Sequence, residues 1–99
     1  VGVSGGSRID EKMARDAYEV GRLLAEKGAV LVTGGLSGVM EAACQGAVQA
    51  GGVTIGILPG EDKSEANPYV QVPIATDLGI ARNVVLVQTF YFFEKTKKL

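Results

Sequence analysis

Residues 29–40 read Ala-Val-Leu-Val-Thr-Gly-Gly-Leu-Ser-Gly-Val-Met, and this stretch decides the fold class. Its apolar half lacks polar alternation, which is typical of a strand buried on both faces of a parallel sheet. The strand runs directly into a glycine-rich turn that opens a helical pattern. A second segment of the same kind, Val-Gly-Val-Ser-Gly-Gly-Ser-Arg, occupies residues 1–8. Because loops after parallel strands gather at one end of an open sheet, the two segments predict neighbouring glycine loops beside helix N-termini.

The rest of the chain extends this strand–helix–strand pattern. Asp10 is a typical helix N-cap and Gly28 a typical helix end, so a first helix is predicted between them. The further elements predicted are a helix over 38–50, strands over 53–58 and 70–75, and a helix starting at Asp77 and running to Gln88. Right-handed crossovers between parallel strands then give an α/β fold, a Rossmann-like three-layer α/β/α sandwich with a short, mostly parallel sheet.

The length and the amino-acid composition of the chain restrict its domain number, its location and the classes of molecule that it can bind. The 99 residues are 46% hydrophobic and are expected to form a single domain over residues 1–99. A formal net charge of −1 provides no basic field for duplex nucleic acid, and no apolar run predicts a membrane span. The single cysteine, Cys44, is expected to be a small buried residue. Because one cysteine cannot form a disulfide within the chain, a cytoplasmic location is predicted. The chain has no histidine, so no metal site is predicted.

Four segments carry a family resemblance through their order and spacing. They are Ser-Gly-Gly-Ser-Arg at 4–8, Thr-Gly-Gly-Leu-Ser-Gly-Val-Met-Glu-Ala-Ala at 33–43, Gly-Ile-Leu-Pro-Gly at 56–60 and Ala-Arg-Asn-Val at 81–84. Together they resemble the Rossmann-like family of molybdenum-cofactor carrier-like proteins. That family is related to the "lonely guy" cytokinin-activating phosphoribohydrolases, which are also called lysine-decarboxylase-like. The resemblance covers residues 1–88.

The chain departs from the family pattern after Gln88. Family members continue into another buried strand that ends in Gly-Gly-Gly-x-Gly-Thr or Pro-Gly-Gly-x-Gly-Thr, followed by a glutamate on the next helix. Here residues 89–95 read Thr-Phe-Tyr-Phe-Phe-Glu-Lys, and residues 89–99 form a divergent aromatic and basic tail. The resemblance therefore implies a member that is truncated before its main phosphate-binding loop.

The glycine loops are the predicted binding site for a nucleotide or another phosphorylated small molecule. Backbone N–H groups at a helix N-terminus suit a phosphate, and Ser37 is placed to cap the helix or bond a phosphate oxygen. For Gly5, Gly6 and Ser7 the alternative is a tight turn with positive φ, and for the second loop it is a capped turn, which is compatible with binding; both alternatives stay open. The resemblance adds the molybdenum cofactor as a possible ligand. The residues predicted to contact the ligand are Gly5, Gly6, Ser7, Arg8, Thr33, Gly34, Gly35, Ser37, Gly38, Arg82 and Asn83.

Arg82 is the weak candidate for a catalytic residue. A cation near a helix start opposes the helix dipole, so Arg82 requires another reason for its place. In the phosphoribohydrolase relatives the matching arginine contacts the substrate and is followed by a lysine, which is Asn83 here. The resemblance implies that Arg82 holds a phosphate or polarises the ligand. The alternative for Arg82 is an arginine exposed to solvent. Glu41 also has two interpretations, since it either complements the helix dipole or contacts a ribose.

The sequence is compatible with three functions. The first is cofactor-carrier-like binding of a phosphorylated small molecule. The second is a nucleoside 5′-monophosphate phosphoribohydrolase, expected to be inactive because its water-activating glutamate follows the missing motif and Glu41 does not match it. The third is a truncated oligomeric protein without ligand function. A homo-oligomer is predicted through the tail 89–99 or through the exposed edge of the first strand.

Overall fold

The computed structural model describes residues 1–3 and 10–88. Its strands form one parallel sheet in the order β1-β2-β3-β4. The strands are β1 (Gly2–Val3), β2 (Leu31–Thr33), β3 (Thr54–Leu58) and β4 (Val72–Ala75). The helices are α1 (Glu11–Glu26) and α2 (Val39–Gln49), with short 3-10 helices at Lys63–Glu65 and Gly79–Ala81. Residues 82–88 are α-helical, and we call them α3. The predicted α/β fold with a parallel sheet is confirmed.

The sheet is covered on both faces, as the apolar strands require. Neighbouring residues of a strand point to opposite faces, and β2 shows this directly. Leu31 packs with Ala43, Cys44 and Ala47 on the side of α2. Val32 instead packs with Ile57 and Leu86, so α3 lies on the opposite face. The predicted three layers are therefore present, and the core lies on both sides of β2 and β3.

The first helix begins and ends where the sequence predicts. The Asp10 carboxylate accepts the backbone N–H of Met13 at 2.8 Å and caps α1. Gly28, with φ of 79°, follows the last turn. The start of the third helix is predicted wrongly. Asp77 adopts a positive φ of 53°, its N–H donates to the Gly60 carbonyl at 2.9 Å, and α-helix begins only at residue 82.

Helices α1 and α2 touch through their backbones. A Cβ placed on Gly21 would lie 1.9 Å from the carbonyl oxygen of Ala43. A Cβ on Gly46 would lie 2.0 Å from the carbonyl oxygen of Tyr18. The small residue at position 46 of α2 thus permits a close contact with α1. The close approach of the two helix backbones therefore leaves no space for a side chain at either position.

Strand β1 lies at one edge of the sheet in the described part of the chain, with β2 as its neighbour there. The tail 89–99 lies outside the described residues, so the predicted oligomer through the tail or this edge stays a prediction. Within residues 1–3 and 10–88, no helix combines the length and the hydropathy needed to cross a membrane.

Candidate functional site at the loop between β2 and α2

The loop over residues 33–38 follows β2 at the carboxyl end of the strand and leads into α2. Thr33, Gly34 and Gly35 are buried in it. The Thr33 hydroxyl accepts the N–H of Gly35 at 3.0 Å and lies 3.6 Å from the Cys44 sulfur. The Thr33 side chain therefore supports the loop from within, and contact between it and a ligand stays a prediction.

Two side chains from outside the loop hold three of its carbonyl groups. The Asn67 Nδ2 donates to the carbonyls of Gly35 at 3.3 Å and Leu36 at 2.8 Å. The Arg82 Nη1 donates to the carbonyl of Gly34 at 2.6 Å and to that of Ile57, in β3, at 2.7 Å. The loop is thus fixed to the rest of the fold through three successive carbonyl oxygens.

The Gly35 N–H is bonded to Thr33, but the N–H groups that follow it are free in the part of the chain that the structure describes. Among the described residues, the backbone N–H groups of residues 36–41 have no protein acceptor. Residues 39–41 form the first turn of α2, where N–H groups lack partners within the helix. The prediction that Ser37 caps this helix is wrong, because the N-cap is Gly38, with φ of 76° and no side-chain cap, and Ser37 is exposed. The uncapped donors remain available to an anion.

The two buried glycines satisfy the chain's own packing. A Cβ on Gly34 would lie 2.5 Å from the Arg82 Nη1 and 2.8 Å from the Met40 sulfur. Gly35 has φ of 79°, and a Cβ there would lie 2.7 Å from the Leu58 Cδ2. Gly35 and Gly38 thus form a tight turn with positive φ, whereas the capped-turn alternative for this loop is wrong, because no side chain caps α2. The group that approaches Gly34 closely is the Arg82 guanidinium.

Arg82 brings a positive charge to the loop without an acidic partner. Its Nε donates to the Asn83 Oδ1 at 2.7 Å, and in residues 1–3 and 10–88 no carboxylate pairs with it. Partial burial lowers the pKa of the Arg82 guanidinium, yet arginine stays protonated at neutral pH. The solvated-arginine alternative does not describe it, because two of its nitrogens are bonded within the protein. Asn83 is exposed and reaches the site only through Arg82.

The predicted first loop, with Gly5, Gly6, Ser7 and Arg8, lies outside the described residues, and its ligand contacts stay predictions. The expectation that Cys44 is buried is confirmed, and Met40 beside the loop is 4% exposed. Burial raises the pKa of the Cys44 thiol and outweighs the opposite effect of its contact with Thr33, so Cys44 is no thiolate nucleophile at neutral pH.

Asn67 is a residue of the candidate site that the sequence analysis does not identify. The stretch 61–68 is mostly charged and polar, which is typical of a surface loop. Asn67 is nevertheless only 7% exposed. The available signal was an Asn-Pro pair at its end, which indicates a fixed turn.

A groove elsewhere on the protein is the structural alternative to this loop. It lies between α1 and α2, has a volume of about 430 Å³ and is mainly apolar. Its lining comprises Ala14, Arg15, Tyr18, Glu19, Ala42 and Gln45. No residue that lines the groove lies within residues 36–41. Substitutions and spectroscopic signals can therefore distinguish a ligand in the groove from a ligand at the loop.

Comparison with known proteins decides the family. The model of the SLOG cluster4 family matches residues 1–92. The chain belongs to the SLOG cluster4 family. It is 49% identical over 89 residues to an uncharacterized protein of Archaeoglobus fulgidus, a match covering 90% of this chain and 58% of the relative.

Two solved structures relate this SLOG cluster4 chain to molybdenum-cofactor proteins. The molybdenum cofactor binding protein of the phototrophic bacterium Rippkaea orientalis is 42% identical, with a TM-score of 0.83, over 89% of this chain and 55% of that one. The Moco carrier protein of Chlamydomonas reinhardtii is 41% identical, with a TM-score of 0.70, over 81% of this chain and 49% of that one. The predicted family resemblance and Rossmann-like fold are confirmed. The chain spans about half the length of these relatives.

Proposed function

We propose that this chain binds a phosphorylated small molecule at the loop between β2 and α2, and that the molybdenum cofactor is the leading candidate. The observation that carries the proposal is the run of N–H groups over residues 36–41, which have no acceptor among residues 1–3 and 10–88 and lie beside the guanidinium of Arg82. Free N–H groups at a helix N-terminus, the positive end of the helix dipole and an arginine together favour an anion.

The donor set favours the phosphate of such a ligand over its metal. Within residues 1–3 and 10–88, no cluster of His, Cys, Asp or Glu side chains is arranged to hold a metal ion. Backbone N–H groups and a guanidinium are donors, which bind phosphate oxygens and do not ligate cations. When bound, the molybdenum cofactor would supply redox chemistry to an acceptor protein. The residues of this chain would bind and orient it, with Gly38 and the first turn of α2 facing its phosphate.

A nucleotide is the second ligand of this class, since it offers the same phosphate chemistry. The phosphoribohydrolase alternative adds hydrolysis of the N-glycosidic bond, which requires a carboxylate close to the reacting carbon. In the described part of the chain, no carboxylate forms an ion pair with Arg82. The Arg82 Nη1 already donates hydrogen bonds to two backbone carbonyls. Binding is therefore favoured over catalysis, and release of adenine from AMP above a protein-free blank would reverse this preference.

Replacing Arg82 tests the proposed site. We expect wild-type protein to bind AMP, pyrophosphate or anaerobically released molybdenum cofactor saturably in calorimetry. Arg82→Met should weaken that binding at least tenfold, because a hydrogen bond to a charged group contributes about 1.5–3 kcal/mol. Arg15→Met is the matched control, since Arg15 is an exposed cation on α1 that pairs with Glu11 at 3.9 Å.

The control should bind like the wild type. Equal weakening in both variants would contradict a specific role of Arg82, because both lose one positive charge and Arg15 lines the groove between α1 and α2. No heat with any of the three ligands would contradict the proposed function itself.

A further inference from the structure

Asn67 uses its whole side chain inside the protein. It is 7% exposed, and its Nδ2 donates to the carbonyls of Gly35 and Leu36. Its Oδ1 accepts the N–H of Tyr69 at 3.0 Å, and its own backbone N–H donates to the Gly35 carbonyl at 2.8 Å. One residue thus fixes two successive peptide planes of the loop and is itself held in place by Tyr69.

These bonds determine where the loop's donors point. In a trans peptide the C=O and the following N–H point in opposite directions, and the described chain has no cis peptide bonds. Holding the Gly35 carbonyl therefore directs the Leu36 N–H away from Asn67. Holding the Leu36 carbonyl does the same for the Ser37 N–H. Both N–H groups are among those without a protein acceptor.

We propose that Asn67 is a positioning residue of the anion site and acts by presenting the N–H groups of Leu36 and Ser37 to the ligand. The ligand class rests on the proposed function above, whereas the orientation of the loop does not. Without the Asn67 amide, the Leu36 carbonyl loses its donor, whereas the Gly35 carbonyl keeps the Asn67 backbone N–H. The peptide plane that carries the Ser37 N–H then becomes free to rotate toward water, and the plane that carries the Leu36 N–H is held by one bond fewer. Both changes would misdirect the donors that an anion requires.

The experiment compares deletion of the buried Asn67 amide with deletion of the exposed Gln71 amide in the full chain. Asn67→Ala removes the side-chain bonds to the loop. Gln71→Ala is the matched control, because the Gln71 Oε1 accepts the Thr54 N–H at 3.3 Å and ties the segment before β4 to β3 without touching the loop. Both variants lose an amide that bonds a backbone group, so thermal stability is measured for each. The two readouts are the ¹⁵N order parameters of the Leu36 and Ser37 amides in the free protein, which report the mobility of their peptide planes, and the dissociation constant for pyrophosphate.

In Asn67→Ala we expect a lower order parameter at Ser37, a smaller decrease at Leu36 and about tenfold weaker pyrophosphate binding. Gln71→Ala should change neither, whatever its loss of stability. Asn67→Ser retains one donor and should give intermediate values, and it replaces Asn67→Ala if that variant does not fold. Unchanged order parameters in the Asn67 variants, or equal changes in the Gln71 variant, would overturn the proposal. If wild-type protein does not bind pyrophosphate, the proposed function fails, and the order parameters still decide the role of Asn67.

Discussion

Gly46→Ala is expected to destabilise the protein by about 3 kcal/mol, the upper end of the usual cost of overpacking a core. The added Cβ would lie 2.0 Å from the Tyr18 carbonyl oxygen and 3.0 Å from the Arg22 nitrogen, which are backbone atoms of α1. Backbone cannot move aside as a flexible side chain does, so the two helices would have to separate. Chemical denaturation followed by circular dichroism measures the change.

The sign of this effect distinguishes packing from helix propensity. Alanine is favoured over glycine in a helix interior by about 1 kcal/mol, so propensity alone predicts that Gly46→Ala stabilises the protein. Gly51→Ala is the control, because Gly51 has φ of 79° and a Cβ there would meet nothing within 4 Å. The control should cost about 1 kcal/mol for the left-handed backbone alone. A Gly46→Ala protein as stable as the wild type would contradict the close contact of α1 and α2.

Gly35→Ala is expected to remove both stability and ligand binding. Gly35 combines φ of 79° with a Cβ position 2.7 Å from Leu58 Cδ2 and 3.3 Å from the Gly56 Cα. We expect a loss of about 2–3 kcal/mol, the sum of backbone strain and overpacking. The shifted loop should bind pyrophosphate at least tenfold more weakly, because its N–H groups change direction. Denaturation and calorimetry on the same preparation measure the two effects.

Gly28→Ala is the control that distinguishes the effect of backbone strain from the effect of steric overlap at Gly35. Gly28 has the same φ of 79°, nothing lies within 4 Å of a Cβ there, and it follows α1 far from the loop in sequence. This variant should lose about 1 kcal/mol and bind pyrophosphate normally. Wild-type affinity in Gly35→Ala would show that the geometry of the loop does not matter for binding.

Local sequence signals predicted most of the fold. The Asp10 cap, the Gly28 helix end and the unbroken apolar run into Thr33 each act on their neighbours along the chain, so they are visible in the sequence. Ser37 misled for the same reason. It is a preferred cap residue, but Gly38 takes the N-cap position with a positive φ that serine rarely adopts.

Long-range contacts were the part that sequence could not predict. Asn67 meets Gly35 across 32 residues and Arg82 meets Gly34 across 48. Nothing in the local pattern of either polar residue specifies a carbonyl acceptor so distant in sequence. The closeness of α1 and α2 at Gly21 and Gly46 is likewise a property of two helices together. The site was therefore predicted in position, at the end of β2, but its supporting contacts required the structure.

The most direct test of anion binding at this loop is an NMR titration of ¹⁵N-labelled protein with pyrophosphate. We expect saturable amide shifts concentrated at residues 36–41, together with a shift of the Arg82 Nε–H signal. Shifts confined to the groove between α1 and α2, at Arg15, Tyr18 and Gln45, would place the ligand elsewhere. No saturable shift at residues 36–41 would contradict anion binding at the loop between β2 and α2.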